Sequence, residues 1–182
     1  QLVSHLADGL DIRLGHIVRS VEAGPSGVRV QTDQGQFAAD KAVVALPLGV
    51  LKGQDISFNP PLPDEKRRAM ERMGFGVLNK LYLQFDEVFW DADAHLLGYV
   101  SERKGEWCEW LNLAPLVGAP VLLAFNAGRF GLDIESWTDE QVLASVMSVL
   151  RRIYGPNVPT PRGWLRTSWG SDPFARGSYS SL

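Results

Sequence analysis

The stretch Gly74-Phe-Gly-Val-Leu-Asn-Lys-Leu-Tyr-Leu-Gln-Phe85 decides how this chain folds, because its side chains alternate with a period of two. Successive side chains of a β-strand point to opposite faces, so this pattern predicts a strand over residues 77–85. Lys80 then lies on one face, between Leu78 and Tyr82. The other face carries Asn79, Leu81, Leu83 and Phe85.

Lys80 is the first candidate for a catalytic residue. A lysine on a covered strand face is partly desolvated, so it can hold a proton or relay one through water. The same position also suits a structural lysine whose methylene stem packs while its ammonium reaches solvent. The spacing alone leaves both interpretations open.

Aromatic residues gather near the far end, in Trp169-Gly-Ser-Asp-Pro-Phe-Ala-Arg-Gly-Ser-Tyr179. Trp169, Phe174 and Tyr179 could converge on a flat or cationic ligand. Ordinary core packing uses the same residue types. Both readings stay open at this point.

The residues before Gly74 predict a small antiparallel meander between two short helices. The first helix ends at Asp8-Gly9, and alternating apolar residues with turns at Gly24–Gly27 and Asp33–Gly35 predict the meander. The continuous apolar run Ala42–Leu46 predicts a strand covered on both faces, as in a parallel sheet. Asp64-Glu65 begins a helix that ends by Gly74.

The residues after Phe85 predict three strands, a long helix and a last strand. The helix covers residues 138–154, because Thr138-Asp-Glu-Gln141 forms a capping box and Gly155-Pro156 ends the pattern. Its apolar stripe comprises Leu143, Val146, Met147, Leu150 and Ile153. The predicted strands are 96–100, 107–113, 120–125 and 163–169.

The composition bounds the classes of partner and the compartment. The 182 residues are 45% hydrophobic and carry a net charge of −3, so no direct nucleic-acid partner is predicted. Cys108 is the single cysteine, which favours a reducing, cytoplasmic location. No membrane span or signal peptide is predicted. Because the chain begins at Gln1 and stops at Ser180-Ser-Leu182, we interpret it as part of a longer protein.

The spacing of other residues argues against three further kinds of site. Gly74-Phe-Gly76 precedes a strand and has Asn79 where a dinucleotide-binding loop needs its third glycine. His5, His16 and His95 are far apart, so no metal site is predicted. No Gly-x-Ser-x-Gly motif indicates a serine hydrolase.

The order of several motifs resembles that of the flavin-containing amine oxidases, and most closely their lysine-specific histone demethylase and polyamine oxidase branch. The resemblance covers nearly the whole chain. The ordered set is more specific than any single motif. Its segments are Ala45–Leu51, Phe58–Pro63, Met73–Lys80, Phe85 with Val88–Asp91, and Asp172–Tyr179.

This resemblance implies an FAD-dependent oxidation of a small amine or polyamine by O2, which yields a carbonyl compound and H2O2. In relatives, the lysine that matches Lys80 is linked through water to flavin N5, so Lys80 is expected to be catalytic. Tyr179 would line the substrate cage, and Trp110 would lie near the substrate channel. The cofactor contacts that the resemblance implies are Val18 at the adenine side, Leu46 and Pro47 beside the flavin, and Trp169, Phe174 and Tyr179 around its ring.

The resemblance also implies an α+β fold. Residues 1–51 would be part of a Rossmann-like FAD domain, made of the meander and the parallel strand. Residues 52–168 would form the substrate-binding domain, with a mixed sheet flanked by helices, and residues 169–182 would return toward the FAD domain.

Two features depart from the family pattern. The glycine-rich phosphate loop and the last flavin motif lie outside this chain, so the 182 residues alone should be inactive and should not retain FAD. Position 174 is Phe where close demethylase relatives prefer Trp, which keeps ring stacking but removes an indole donor.

Two alternatives to an amine oxidase remain at this stage. The chain could be a peptide- or protein-binding module that kept the fold without redox chemistry. It could also belong to a flavin enzyme that oxidises a carbon skeleton without an amine, although Tyr179 suits contact with a substrate amine.

Overall fold

The computed structural model describes residues 2–181, which divide into two compact units. The first unit comprises Gln1–Leu46 and Val50–Glu71, and the second comprises Pro47–Gly49 and Arg72–Leu182. Each unit is built around its own sheet.

The first unit contains the predicted meander. Strands β1 (Val18–Gly24), β2 (Gly27–Thr32) and β3 (Gly35–Ala39) pair antiparallel in succession, and β4 (Ser57–Asn59) pairs parallel to β1. The sheet order is therefore β3-β2-β1-β4. The helices within residues 2–72 are α1 (Leu2–Ala7), α2 (Leu48–Lys52) and α3 (Asp64–Arg72), of which Leu48, Gly49 and Arg72 belong to the second unit.

The predicted strand Ala42–Leu46 is wrong. Residues 41–47 form neither helix nor strand, and the Val43 side chain is 94% exposed. An apolar run becomes a buried strand only where a neighbouring strand takes its hydrogen bonds, and here β4 occupies the position beside β1. Of the predicted Rossmann-like remnant, the described residues therefore contain only the meander.

The second unit contains a five-stranded sheet. Its strands are β6 (Leu78–Gln84), β7 (Leu96–Gly98), β8 (Glu109–Asn112), β9 (Val121–Ala127) and β10 (Gly163–Arg166), in the order β10-β6-β9-β8-β7. A separate two-stranded sheet pairs β5 (Gly74–Gly76) with β11 (Tyr179–Ser181). The helices are α4 (Ala114–Val117), α5 (Gly128–Asp133), the 3-10 turn Ile134–Ser136 and α6 (Asp139–Tyr154).

The five-stranded sheet is antiparallel in every pairing of its described strands, so the prediction of a mixed sheet in this lobe is wrong. The connection through α6 does make β10 parallel to β9. These two strands do not pair because β6 lies between them.

The sequence-based domain boundaries at residues 51 and 168 do not coincide with the compact units. Residues 52–71 belong with the first sheet because β4 pairs with β1. Residues after 168 belong with the second unit because β11 pairs with β5. The assignment of the three ranges to cofactor and substrate domains remains a prediction.

The two faces of β6 differ as the period of two predicted. Leu81 and Leu83 are almost fully buried, whereas Lys80 and Tyr82 are only partly buried. Directly opposite residues share a face, so Lys80 shares its face with Phe125, and Leu81 shares the other face with Ala124. That second face belongs to the apolar core that includes α6.

Helix α6 begins with the capping box predicted from sequence. The Gln141 N–H donates to Thr138 Oγ1 at 3.3 Å, and the Thr138 N–H donates to Gln141 Oε1 at 2.9 Å. Its buried stripe is rotated slightly from the predicted one, because Ile153 is 37% exposed and Leu143 is only partly buried. The buried residues are Val142, Val146, Met147, Val149 and Leu150.

We expect Thr138→Ala to lower the free energy of unfolding of the second unit by about 1 kcal/mol, because the substitution removes the Oγ1 that accepts from the Gln141 N–H. Ser148→Ala is the matched control, since Ser148 is exposed within the same helix and alanine has the higher helix propensity. Urea unfolding followed by circular dichroism measures both variants. An equal loss in the two variants would contradict the capping role.

Candidate functional site

A cavity of about 510 Å³ in the second unit brings together several of the residues singled out from the sequence. Lys80 reaches it from β6, Tyr179 from β11, and Trp169 from the segment after β10. Its volume is in the range of small-molecule sites. The other lining residues are Pro47, Leu48, Met73, Phe75, Leu78, Ala175, Gly177, Ser178 and Ser180.

Lys80 is partly buried, and its surroundings in the cavity are mainly apolar or aromatic. Its backbone is held on both sides by Thr167, whose N–H donates to the Lys80 carbonyl at 2.9 Å. The Lys80 N–H in turn donates to Thr167 Oγ1 at 2.9 Å. Within residues 2–181, no hydrogen bond or ion pair engages the Lys80 ammonium, so this donor is available to a ligand or to water.

Tyr179 is positioned by the small sheet. It lies opposite Gly76 in the pairing of β11 with β5, and it is 62% exposed. The preceding residue is also anchored, because the Ser178 N–H donates to the Gly76 carbonyl at 2.8 Å and Ser178 Oγ accepts from the Leu78 N–H at 3.2 Å. These hydrogen bonds hold the residue directly before Tyr179 and so fix where its phenol ring begins.

Gly177 allows this turn to pass close to the cavity wall. Its φ is +142°, a conformation that residues with side chains rarely adopt. A Cβ at this position would overlap the Phe75 ring, which also lines the cavity. The close approach of the Tyr179 segment to β5 therefore requires glycine here.

Trp169 is held through its backbone by the buried amide of Asn79. Asn79 is 1% exposed, and its Oδ1 accepts from the Trp169 N–H at 2.9 Å. Its Nδ2 donates to the Gly131 carbonyl at 3.0 Å and to Glu135 Oε1 at 2.6 Å. Asn79 therefore ties the Trp169 segment to α5 and to the turn that follows it.

Glu135 accepts hydrogen bonds from the same segment. Its Oε1 accepts from the Gly170 N–H at 2.8 Å, and its Oε2 accepts from the Ser171 N–H at 2.7 Å. Burial alone would raise the pKa of Glu135, but hydrogen bonds from Asn79, Gly170 and Ser171 outweigh it and lower the pKa below its ordinary value of 4.5.

The remaining predicted site residues are placed differently. Pro47 lines the cavity, whereas Phe174 is 61% exposed and is absent from its lining. Trp110 is 2% exposed on the core face of the sheet, opposite to the face of Lys80, and its Nε1 donates to the Trp107 carbonyl at 2.7 Å. Val18 and Leu46 belong to the first unit, so their cofactor contacts remain predictions.

Sequence reasoning missed Asn79 and Glu135. The alternation had placed Asn79 on the apolar face of β6, and a buried amide requires hydrogen-bond partners, so a signal was present. For Glu135 no comparable signal exists, because the surrounding Leu132–Trp137 has no motif and its partners lie more than thirty residues away in the chain.

Comparison with known proteins assigns this chain to a family. A model of flavin-containing amine oxidoreductases matches residues 1–182. The chain belongs to this family.

Three relatives of this amine oxidoreductase chain illustrate the match. A possible lysine-specific histone demethylase 1 from Drosophila melanogaster is 40% identical over 96% of this chain and 22% of that protein. Polyamine oxidase 2 from Arabidopsis thaliana is 42% identical over 98% of this chain and 36% of that protein. A solved double mutant of a putrescine oxidase, from a redesign of cofactor binding, has a TM-score of 0.79 at 25% identity and covers all of this chain and 40% of its own.

These coverages mean that the chain spans between about a fifth and two fifths of the length of these relatives. The family match confirms the sequence-based assignment of the chain to the flavin-containing amine oxidase family. No helix among residues 2–181 is long and apolar enough to cross a membrane.

The residues of the cavity fit the ring end of a flavin. Trp169, Tyr179 and Phe75 offer aromatic surface, and Gly177 lets the segment before Tyr179 pack directly against the Phe75 ring. Lys80 supplies one cationic donor among them. Aromatic surface with one donor suits a planar, partly polar ring, whereas a pyrophosphate would need the backbone amides of a helix N-terminus.

We expect Gly177→Ala to lower the free energy of unfolding of the second unit by about 2 kcal/mol, because the substitution combines an unfavourable φ with overlap on Phe75. Gly163→Ala is the control, since a Cβ there meets no atom within 4 Å. Thermal unfolding measures both. A change for Gly177→Ala no larger than that for Gly163→Ala would show that the close approach is dispensable.

The lowered pKa of Glu135 predicts a pH-dependent contribution to stability. A carboxyl whose pKa is lower in the folded state stabilises above its unfolded pKa, and this contribution is lost as the pH falls through the folded value. The stability difference between the wild type and Glu135→Gln should therefore be largest near neutral pH and should shrink below pH 4.5.

Urea unfolding at several pH values measures this difference. Glu87→Gln is the control, because Glu87 is exposed in the same unit. A difference for Glu135→Gln that stays constant with pH would refute the assignment of the lowered pKa.

Proposed function

We propose that the full-length protein is an FAD-dependent amine oxidase and that this chain supplies one wall of its active site. The observation that carries the proposal is the convergence of Lys80, Trp169 and Tyr179 on one cavity, in a chain of the flavin-containing amine oxidoreductase family. Relatives named as polyamine oxidases and a putrescine oxidase support an amine or polyamine as substrate.

The chemistry that FAD supplies when bound is the uptake of a hydride from the carbon next to the amine nitrogen and the transfer of two electrons to O2, with an imine and H2O2 as products. Water then hydrolyses the imine to a carbonyl compound. The residues of this chain bind the amine, orient it and control where protons and water can reach.

In this proposal, Lys80 donates a hydrogen bond or a proton to a water molecule in the cavity. Lys80 lines the cavity from β6, and within the described part of the chain no acceptor engages its ammonium. It can therefore donate to a water molecule held near the reacting carbon. The apolar neighbours Leu78 and Met73 limit the number of competing waters.

Tyr179 and Trp169 would bind the substrate amine and border the flavin ring. Aromatic faces attract a cationic amine, and they exclude water from its neighbouring carbon. Pro47 borders the same cavity. Phe174, Leu46 and Val18 remain proposed cofactor contacts on the strength of the resemblance, whereas we leave Trp110 out because it lies on the other face of the sheet.

The proposal assigns residues 1–51 and 169–182 to the cofactor side and residues 52–168 to the substrate side. Within residues 2–181, no strand is followed by a Gly-x-Gly-x-x-Gly turn that opens a helix and could hold the pyrophosphate. We therefore expect the chain by itself to release FAD and to be inactive.

We also propose a cytoplasmic location for the protein, which the single cysteine of the chain supports.

We expect Lys80→Met in the full-length, FAD-loaded protein to lower the rate of amine oxidation by roughly 10²- to 10⁴-fold, the range typical for loss of a positioned proton-transfer group. Methionine keeps the length of the stem and removes the charge. Peroxide release with polyamines, simple amines and methyl-lysine peptides is the measurement, and bound flavin absorbance reports whether the cofactor site is intact.

Lys104→Met is the matched control, because Lys104 is exposed in the same unit. Unchanged turnover in Lys80→Met would remove Lys80 from the mechanism. A colourless and inert full-length wild type would count against the oxidase as a whole and in favour of a binding module.

A further inference from the structure

We propose that Glu135, together with Asn79, is a positioning residue that holds the backbone of Trp169 beside Lys80. The effect of Glu135 on catalysis rests on the proposed amine oxidation, whereas its structural role in holding the Trp169 backbone does not. Neither residue was expected from the sequence, and neither lines the cavity. Both act through the residues that do.

Three successive backbone N–H groups are bound by these two side chains. The Trp169 N–H donates to Asn79 Oδ1, the Gly170 N–H donates to Glu135 Oε1, and the Ser171 N–H donates to Glu135 Oε2, at 2.7 to 2.9 Å. Residues 169–171 form neither strand nor helix. Among the described residues, the Asn79 amide and the Glu135 carboxylate are therefore the acceptors that fix this segment, here called the Trp169 loop.

The two acceptors are themselves joined. Asn79 Nδ2 donates to Glu135 Oε1 at 2.6 Å, a short distance typical of a hydrogen bond to an ionised group. Asn79 directly precedes Lys80 on β6, and the two side chains point to opposite faces of the strand. The same strand therefore holds the Trp169 loop from one face and presents the ammonium on the other.

Glu135 is held firmly enough to act as an anchor. The Arg166 guanidinium donates to the Ile134 and Trp137 carbonyls at 3.0 Å each, on either side of Glu135. Arg166 also forms an ion pair with Asp139 at 3.0 Å. The turn that carries Glu135 is thereby tied to β10, the strand that leads into the Trp169 loop.

Gly170 permits the close contact between carboxylate and backbone. A Cβ at this position would lie 3.0 Å from both oxygens of Glu135 and 3.1 Å from a methyl group of Val77. The carboxylate therefore approaches the loop along the side on which Gly170 has no side chain.

The effect of this anchor extends to the tyrosine. The Trp169 carbonyl accepts from the Gly177 N–H at 2.7 Å, two residues before Tyr179. A displacement of the Trp169 loop would therefore move Trp169 and Tyr179 relative to Lys80. Displacements of about 1 Å remote from the reacting atoms can cost roughly a hundredfold in rate.

The test compares Glu135→Gln, Glu135→Asp and the control Glu87→Gln in the full-length protein. Glutamine keeps the shape but places an N–H₂ group against one of the N–H donors. Aspartate keeps the charge but withdraws it by one methylene, so it serves if glutamine prevents folding. Glu87 is exposed in the same unit and has no role in the Trp169 loop.

The first readout is hydrogen exchange of the amides of residues 169–171, which needs neither FAD nor activity. We expect exchange in either Glu135 variant to be roughly tenfold faster, the effect of losing one hydrogen bond to a charged group. The amides of α6 should stay as in the wild type. Equal acceleration in α6, or none in the Trp169 loop, would overturn the proposal in favour of a general structural role or no role.

The second readout is anaerobic reduction of bound flavin by the amine. We expect a roughly ten- to hundredfold slower reduction at saturating amine, with flavin still bound. Faster loop exchange with unchanged reduction would overturn the positioning role. If the wild type itself fails to oxidise amines, the proposed function fails, and the exchange measurement still decides whether Glu135 holds the loop.

Discussion

The hydrogen bonds of the Asn79 side chain are the interaction on which the cavity depends. Placing an amide in an apolar core costs several kcal/mol unless every donor and acceptor finds a partner. Here both amide atoms are satisfied, by the Trp169 N–H, the Gly131 carbonyl and the Glu135 carboxylate. A fully paired buried network favours a single arrangement of the groups that it joins. The position of the Trp169 loop is thus specified from inside the core.

The two-residue period of β6 connects this buried network to the cavity on the other face of the strand. Because neighbouring residues point to opposite faces, an anchored Asn79 forces Lys80 toward the cavity. Thr167 adds hydrogen bonds on both sides of the Lys80 peptide unit, which restricts motion of the strand at this point. The result is a lysine whose backbone is hydrogen-bonded on both sides and whose ammonium, within residues 2–181, takes part in no hydrogen bond or ion pair. This combination suits a group that must hold a proton at a constant distance from a substrate.

The family match and the geometry answer different questions. The match covers the entire chain and places it among flavin-containing amine oxidoreductases, but the chain spans only part of its relatives. The geometry, in contrast, shows which of the matching residues line the same cavity. Lys80, Trp169 and Tyr179 do, while Trp110 lies in the core on the far face of the sheet. A residue-by-residue transfer from the resemblance alone would have given all four the same weight.

The sequence by itself determined the local elements and the family. Alternation, capping residues and turn residues act over a few positions, so β6, the meander and α6 were all predictable, and the ordered motifs pointed to the amine oxidases. Only the tertiary structure decided whether Ala42–Leu46 becomes a strand, because a strand depends on a partner that lies elsewhere in the chain. For the same reason it alone decided the link between Asn79, Glu135 and the Trp169 loop. Their hydrogen bonds join residues 35 to 90 positions apart, and no local pattern encodes such a contact.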